Sequence, residues 1–199
     1  MKQVLLSLFM LVAVSATAQE FKPFKFNISL GYAKPSGPGA SGGFLYSLEP
    51  KYGLSDNIDL GLRIEGALMV RGVVVNGEDA EGELKASGSY LVTGTYLLTN
   101  TNFRPYIGAG AGLFSVASTG VTVIDDEAEA GTLTGGTKFG GMVRAGFKAG
   151  HFNLGLEYNL IPATEGIIMS NNGLNTNVSS KNSYFGIKLG VDIGGGRYK

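Results

Sequence analysis

Phe26-Asn27-Ile28-Ser29-Leu30-Gly31-Tyr32-Ala33 decides how this chain folds. Bulky apolar side chains alternate one for one with small or polar ones, and only an extended strand turns a period of two into two distinct faces. Phe26, Ile28, Leu30 and Tyr32 share one face, and Asn27, Ser29, Gly31 and Ala33 share the other. The pattern recurs along the chain. Phe44, Tyr46, Leu48 and Tyr52 mark a second strand, Ile58, Leu60, Leu62, Ile64 and Leu68 a third, and Tyr90, Val92, Tyr96 and Leu98 a fourth. A fifth, at residues 105–114, is expected to turn Ile107, Ala109, Ala111 and Leu113 to the apolar side. Phe139, Val143, Ala145 and Phe147 belong to the sixth, Phe152, Leu154, Leu156, Tyr158 and Leu160 to the seventh, and Phe185, Ile187, Leu189, Val191 and Ile193 to the eighth.

The connections alternate in length. Residues 54–57, 99–103 and 150–151 form short turns, whereas residues 35–42, 70–84, 115–138 and 163–181 form long connections. Long and short connections therefore gather at opposite ends of an antiparallel sheet. An even strand number with short turns at one end and long loops at the other is the layout of an outer-membrane barrel, whose short turns face the periplasm.

Alternation alone leaves open which face meets water, because a soluble barrel has the same period with its faces inverted. Composition decides. Charged residues make up only 16% of the chain, against about 25% in a typical soluble domain, too few to coat a water-facing wall. The minor face is mostly Gly, Ala, Ser, Thr and Asn, with charges at Glu49, Arg63, Glu65, Arg144, Lys148, Glu157, Lys188 and Asp192. Such a face suits a cramped polar lumen. Aromatic residues near the strand ends, such as Phe26 and Tyr32, Phe44 and Tyr52, Phe139 and Phe147, Phe152 and Tyr158, match the girdles found at the two membrane interfaces.

The N-terminus agrees with export. Lys2 precedes an apolar run at residues 4–14 and the small residues Ser15-Ala16-Thr17-Ala18, the order of a signal peptide. The run is too short to cross about 30 Å of hydrocarbon. Residues 1–18 are thus expected to be removed, leaving residues 19–199 as one barrel domain. With no Cys there is no lipoprotein anchor, disulfide, thiolate metal site or cysteine nucleophile. A formal net charge of zero gives no reason to expect a nucleic-acid partner.

Two segments carry a likeness to a known family. Arg104-Pro105-Tyr106-Ile107-Gly108-Ala109-Gly110-Ala111-Gly112 opens a central strand after a short turn, and Tyr184-Phe185-Gly186-Ile187-Lys188-Leu189-Gly190-Val191 closes the sheet. In these strands, and in layout across the mature chain, the protein resembles the small outer-membrane β-barrels that group the OmpA transmembrane domain, OmpX and OmpW. The resemblance implies a Gram-negative outer membrane, lipid around the wall, and insertion by the barrel assembly machinery, which reads the last strand. The sequence departs from the family in ending Gly194-Gly195-Gly196-Arg197-Tyr198-Lys199, with no terminal aromatic, and in lacking Trp.

Candidate sites are few. Gly108, Gly110 and Gly112 lack the GxGxxG spacing and the following helix of a nucleotide loop, so they are read as space-making residues in a strand. An eight-stranded barrel is just wide enough for side chains to fill it, and buried charges must be paired. Arg63, Arg144, Lys148 and Lys188 are therefore expected to pair with Glu65, Glu157 and Asp192 and to plug the lumen. Acidic clusters at Glu78, Asp79, Glu81 and Glu83, and at Asp125, Asp126, Glu127 and Glu129, lack calcium-loop spacing and read as solvated loop charge. If the two loops meet at the extracellular rim, a divalent cation or a basic partner is the sharper expectation. Asn-rich residues 170–177 read as turn-forming. Pro50, which cannot donate a ladder hydrogen bond, is a candidate bulge. His151, the single histidine, falls in a periplasmic turn with no nucleophile to assign to it.

No catalytic, cofactor-binding or metal residue follows from this reading. The expected role is non-enzymatic, structural or surface-interacting, with any extracellular ligand met through the long loops. The resemblance offers OmpW-like transport of small hydrophobic compounds as the alternative, and a lipid A-modifying barrel enzyme third.

Overall fold

A chain that alternates in this way can satisfy its backbone in lipid only by closing its sheet, because an open edge would leave N–H and C=O groups without partners. The computed structural model describes residues 20–36, 40–70, 73–75, 78–80, 84–117, 119–125, 127–133, 136–169 and 175–197; the expected signal peptide lies outside them. In chain order the strands are β1 (Phe24–Pro35), β2 (Ser41–Gly53), β3 (Ile58–Val70), β4 (Val73–Val75), β5 (Glu78–Ala80), β6 (Leu84–Leu97), β7 (Phe103–Val116), β8 (Thr119–Asp125), β9 (Glu127–Leu133), β10 (Gly136–Ala149), β11 (Phe152–Leu160), β12 (Thr164–Met169), β13 (Asn175–Ser180) and β14 (Tyr184–Gly194). Eight of them close a barrel in the order β1-β14-β11-β10-β7-β6-β3-β2. Neighbouring strands are antiparallel throughout, and the seam between first and last runs without a break from Lys25 opposite Gly194 to Pro35 opposite Tyr184.

The two faces separate as the period requires. Leu62, Val92, Phe139 and Leu189 are each at least 60% exposed, and every barrel strand adds large apolar side chains to the same outer face. An apolar surface running all round a closed barrel has lipid as its solvent. On β7, Ile107, Ala109, Ala111 and Leu113 point outward, as expected. Aromatic side chains ring both ends. Tyr32, Phe44 and Phe139 stand near the long-loop end, and Phe24, Tyr52, Tyr96, Phe103 and Phe152 near the short turns.

Three readings of the sequence are corrected. The long connections carry strands of their own: β12-β13-β4-β5 form a four-stranded sheet, and β8 and β9 a hairpin. Asn175 and Asn177, read as turn residues, belong to β13 and pair with Met169 and Ile167 of β12; residues 170–174 lie outside the described residues. Cross-strand pairing overrides the local turn preference of asparagine there. The bulge in β2 is not at Pro50. The register of β2 on β3 is the same on either side of it, from Leu48 opposite Ile64 to Lys51 opposite Gly61, and shifts instead between Ser41 and Phe44. Gly42 and Gly43 make that shift feasible, since a Cβ on Gly42 would strike the Tyr32 ring and one on Gly43 the carbonyl of Leu68.

The four-stranded sheet has a consequence for the lumen. Its ladder joins Val75 and Val74 of β4 to Val178 and Ser179 of β13. The β3–β6 and β11–β14 connections spring from opposite sides of the barrel, so this ladder crosses the extracellular opening.

Candidate functional site: the lumen and its two mouths

Inward positions of the strands build three tiers. In the extracellular half, Ala33, Leu45, Ala67, Met69, Leu91, Phe114, Val116, Met142, Ile161 and Tyr184 form one buried apolar cluster. Leu45, Met69 and Phe114 are wholly buried, so the tier is packed.

Below it lies the charge network expected from the sequence, except that Arg144 takes Glu49, which the expected set of paired acids left out. Arg63 on β3 reaches across the barrel to Glu157 on β11, with Nη1 2.6 Å from Oε2 and Nη2 3.2 Å from Oε1. Its Nη2 also lies 3.0 Å from Glu65. Lys188 on β14 holds Glu65 at 2.9 Å and Glu157 at 2.6 Å, and the Tyr184 hydroxyl donates to Glu65 at 2.5 Å. Asn159 donates to Glu157 at 3.1 Å. A second strut joins Arg144 on β10 to Glu49 on β2, two 2.7 Å bonds in a fork, with Thr93 donating to Glu49 at 2.6 Å. In the strand order, β3 stands opposite β11 and β2 opposite β10, so both struts span the lumen. Paired, bidentate arginine–carboxylate contacts are the geometry that makes buried charge tolerable.

The third tier faces the periplasm. Lys25 pairs with Asp59 at 2.6 Å and Lys148 with Asp192 at 2.5 Å; Lys51 lies 3.7 Å from Glu49 and 3.6 Å from Asp192. Phe21 folds over the opening, buried between the guanidinium of Arg104, 4.3 Å from its ring centre, and that of Arg197 at 5.3 Å. Positive φ at Gly194, Gly195 and Gly196 lets the tail after β14 turn back over the mouth, where Arg197 pairs with Phe21 as an isolated bridge. Glycine populates that backbone region at little cost, which explains the three consecutive glycines.

Lys25, Lys51 and Asp59 were missed as lumen residues, although the signal was present. They share the phase of Asn27, Glu49 and Arg63 on the same strands. His151 sits in the β10–β11 turn, its Nδ1 donating to the Asp192 carbonyl at 2.8 Å. That bond ties the turn to β14. β5, with Glu78 and Asp79, is one edge of the four-stranded sheet, and β9, with Glu127 and Glu129, lies against β12 at the other; Glu81, Glu83 and Asp126 fall outside the described residues.

Against known proteins, the outer membrane protein beta-barrel domain family matches residues 4–188. The chain belongs to that family. Among solved structures it is similar to Neisserial surface protein A, with a TM-score of 0.55 and 18% identity over 87% of this chain and 98% of the other. It is similar to the outer membrane protein OprG from Pseudomonas aeruginosa, with a TM-score of 0.56 and 18% identity over 87% and 97%. The outer membrane enzyme PagL matches more loosely, at a TM-score of 0.40 and 18% identity over 85% and 98%. At these identities the likeness concerns the fold alone. No curated protein matches the sequence. As a member of this family, the protein is an outer-membrane barrel of eight strands with short periplasmic turns.

Proposed function

We propose that this barrel is a closed, non-enzymatic component of the outer membrane, acting through its lipid-facing wall and the β-sheet raised above its extracellular mouth. The observation that carries this reading is the pair of struts, Arg63–Glu157 and Arg144–Glu49, that join opposite walls of the lumen. Water and ions have no continuous path past them, because the apolar tier above is filled by Leu45, Met69, Phe114 and Met142. An open apolar chamber in the extracellular half would have supported carriage of hydrophobic compounds. The apolar residues are there, but they pack against one another. The crossing sheet adds a cover outside and supplies the surface on which a structural or surface-interaction role would rest.

Purified protein reconstituted in planar bilayers is therefore expected to give no resolved conductance steps in concentrated potassium chloride. Reproducible single-channel openings would overturn the closed-lumen reading.

A further inference from the structure

The periplasmic mouth encloses a cavity of about 280 Å³ between Phe21, the turns at Asn102 and His151, and the glycine tail. Four cations line it, Lys25, Arg104, Lys148 and Arg197, with Asp192 as the one lining carboxylate. Three of the four have acidic partners: Lys25 has Asp59, Lys148 has Asp192, and Arg197 has Glu20 at 3.2 Å. Asp56, the other acid at this end, uses both carboxylate oxygens on the backbone N–H groups of Glu20 at 3.1 Å and Phe21 at 3.0 Å.

Arg104 is different. It is 6% exposed, and among the described residues no carboxylate lies within ion-pair distance of it. Its Nε donates to the Thr99 carbonyl at 2.9 Å, and its Nη2 to Asn100 Oδ1 at 3.1 Å and to the Asp56 carbonyl. One face lies on Phe21. Among the described residues Nη1 donates to no group, and the residue borders the cavity. A buried guanidinium whose nearest acids, Asp59 and Asp56, act on it only from beyond ion-pair distance is incompletely compensated, and its planar fork is suited to an oxyanion. Lys25 and Lys148 each have ammonium donors beyond the one in their ion pair, and Lys51, shared loosely between two acids, adds positive charge behind them.

We propose that this vestibule binds one anionic oxygen group, a carboxylate or a phosphate, entering from the periplasm and held on Nη1 of Arg104 within the field of Lys25 and Lys148. The group is delivered either as a free ion or as the end of a periplasmic peptide. Phe21 and the glycine tail form the rim it passes.

Calorimetric titration of the detergent-folded full chain at constant ionic strength tests this, with inorganic phosphate, acetate and tri-alanine as probes. Saturable binding is expected for the wild type, weakened roughly tenfold or more by Arg104→Gln, as loss of a buried charged partner requires. Lys34→Gln, which removes an exposed cation at the far end of β1, is expected to leave affinity unchanged. Arg104→Lys keeps the charge but not the fork, and is expected to fall between; it also carries the test if Arg104→Gln does not fold, as judged by migration of unboiled and boiled samples. Tighter binding of tri-alanine than of acetate assigns the anion to a peptide end, and equal binding assigns it to a free ion. Absence of heat with all three probes, or unchanged affinity in both Arg104 variants, overturns the proposal.

Discussion

Arg63→Met is expected to destabilise the barrel by about 3–5 kcal/mol, the usual consequence of removing one partner from a buried ion pair. Arg63 is 1% exposed and faces both Glu157 and Glu65. Without it, two buried carboxylates share the single charge of Lys188. The pair itself need not add net stability, since desolvation of both ions offsets most of their attraction. The double variant Arg63→Met/Glu157→Leu separates these statements. It leaves Lys188 with Glu65 and removes the stranded charge, at the loss of the Arg63 and Glu157 bonds to Asn159. The double variant is therefore expected to lie within about 1–2 kcal/mol of wild type, the cost of those neutral contacts. Urea unfolding in lipid vesicles, followed by tyrosine fluorescence, reads both. If the losses in the two single variants simply add in the double, the strut is not a unit and the closed-network account fails.

How far this lumen could be read beforehand depended on what the alternation carries. The wall was legible because lipid outside and a polar interior impose opposite demands on successive residues; Ile28, Leu48 and Ile64 against Ser29, Glu49 and Arg63 show it directly. The identity of the inward charges followed from the same phase, and could have been carried to Lys25, Lys51 and Asp59 by extending it to the strand ends. The apolar tier was not legible. Leu45, Leu91 and Phe114 point inward beside outward Phe44, Tyr90 and Leu113, so the sequence shows short continuous apolar runs in which the period is lost. Partners across the lumen were also out of reach. Arg63 and Glu157 are 94 residues apart, and their meeting depends on the stagger of eight strands and on closure between β1 and β14. The extracellular ladder between β4 and β13 depends on two distant loops in the same way. Arg104 stood in the quoted likeness as the residue before Pro105, but only the folded turn shows that, among the described residues, no carboxylate reaches it to form an ion pair.

Gly112→Val is expected to have the other large effect, and the reason returns to the glycines of β7. A Cβ at Gly112 would strike the carbonyl of Tyr90 and lie 2.9 Å from the Leu91 Cα, both backbone atoms of β6. Backbone cannot swing aside as a side chain can, so the β6–β7 ladder must part. Overpacking alone costs about 1–3 kcal/mol. A ladder opened in lipid adds to that, because its N–H and C=O groups find no water. A loss of about 3 kcal/mol or more is therefore expected. Gly94→Ala on β6 is the matched control, since its Cβ meets nothing within 4 Å, and it is expected to unfold at nearly the wild-type urea concentration. Gly108 extends the same logic to the network: its missing side chain leaves room for Arg144, whose Nε lies 3.0 Å from where a Cβ would be. The alternating glycines thus thin one wall so that a cation from the adjacent strand can cross to Glu49. Equal stability of the Gly112→Val and Gly94→Ala proteins would show that β7 has slack to yield, and would remove the packing reason for its glycines.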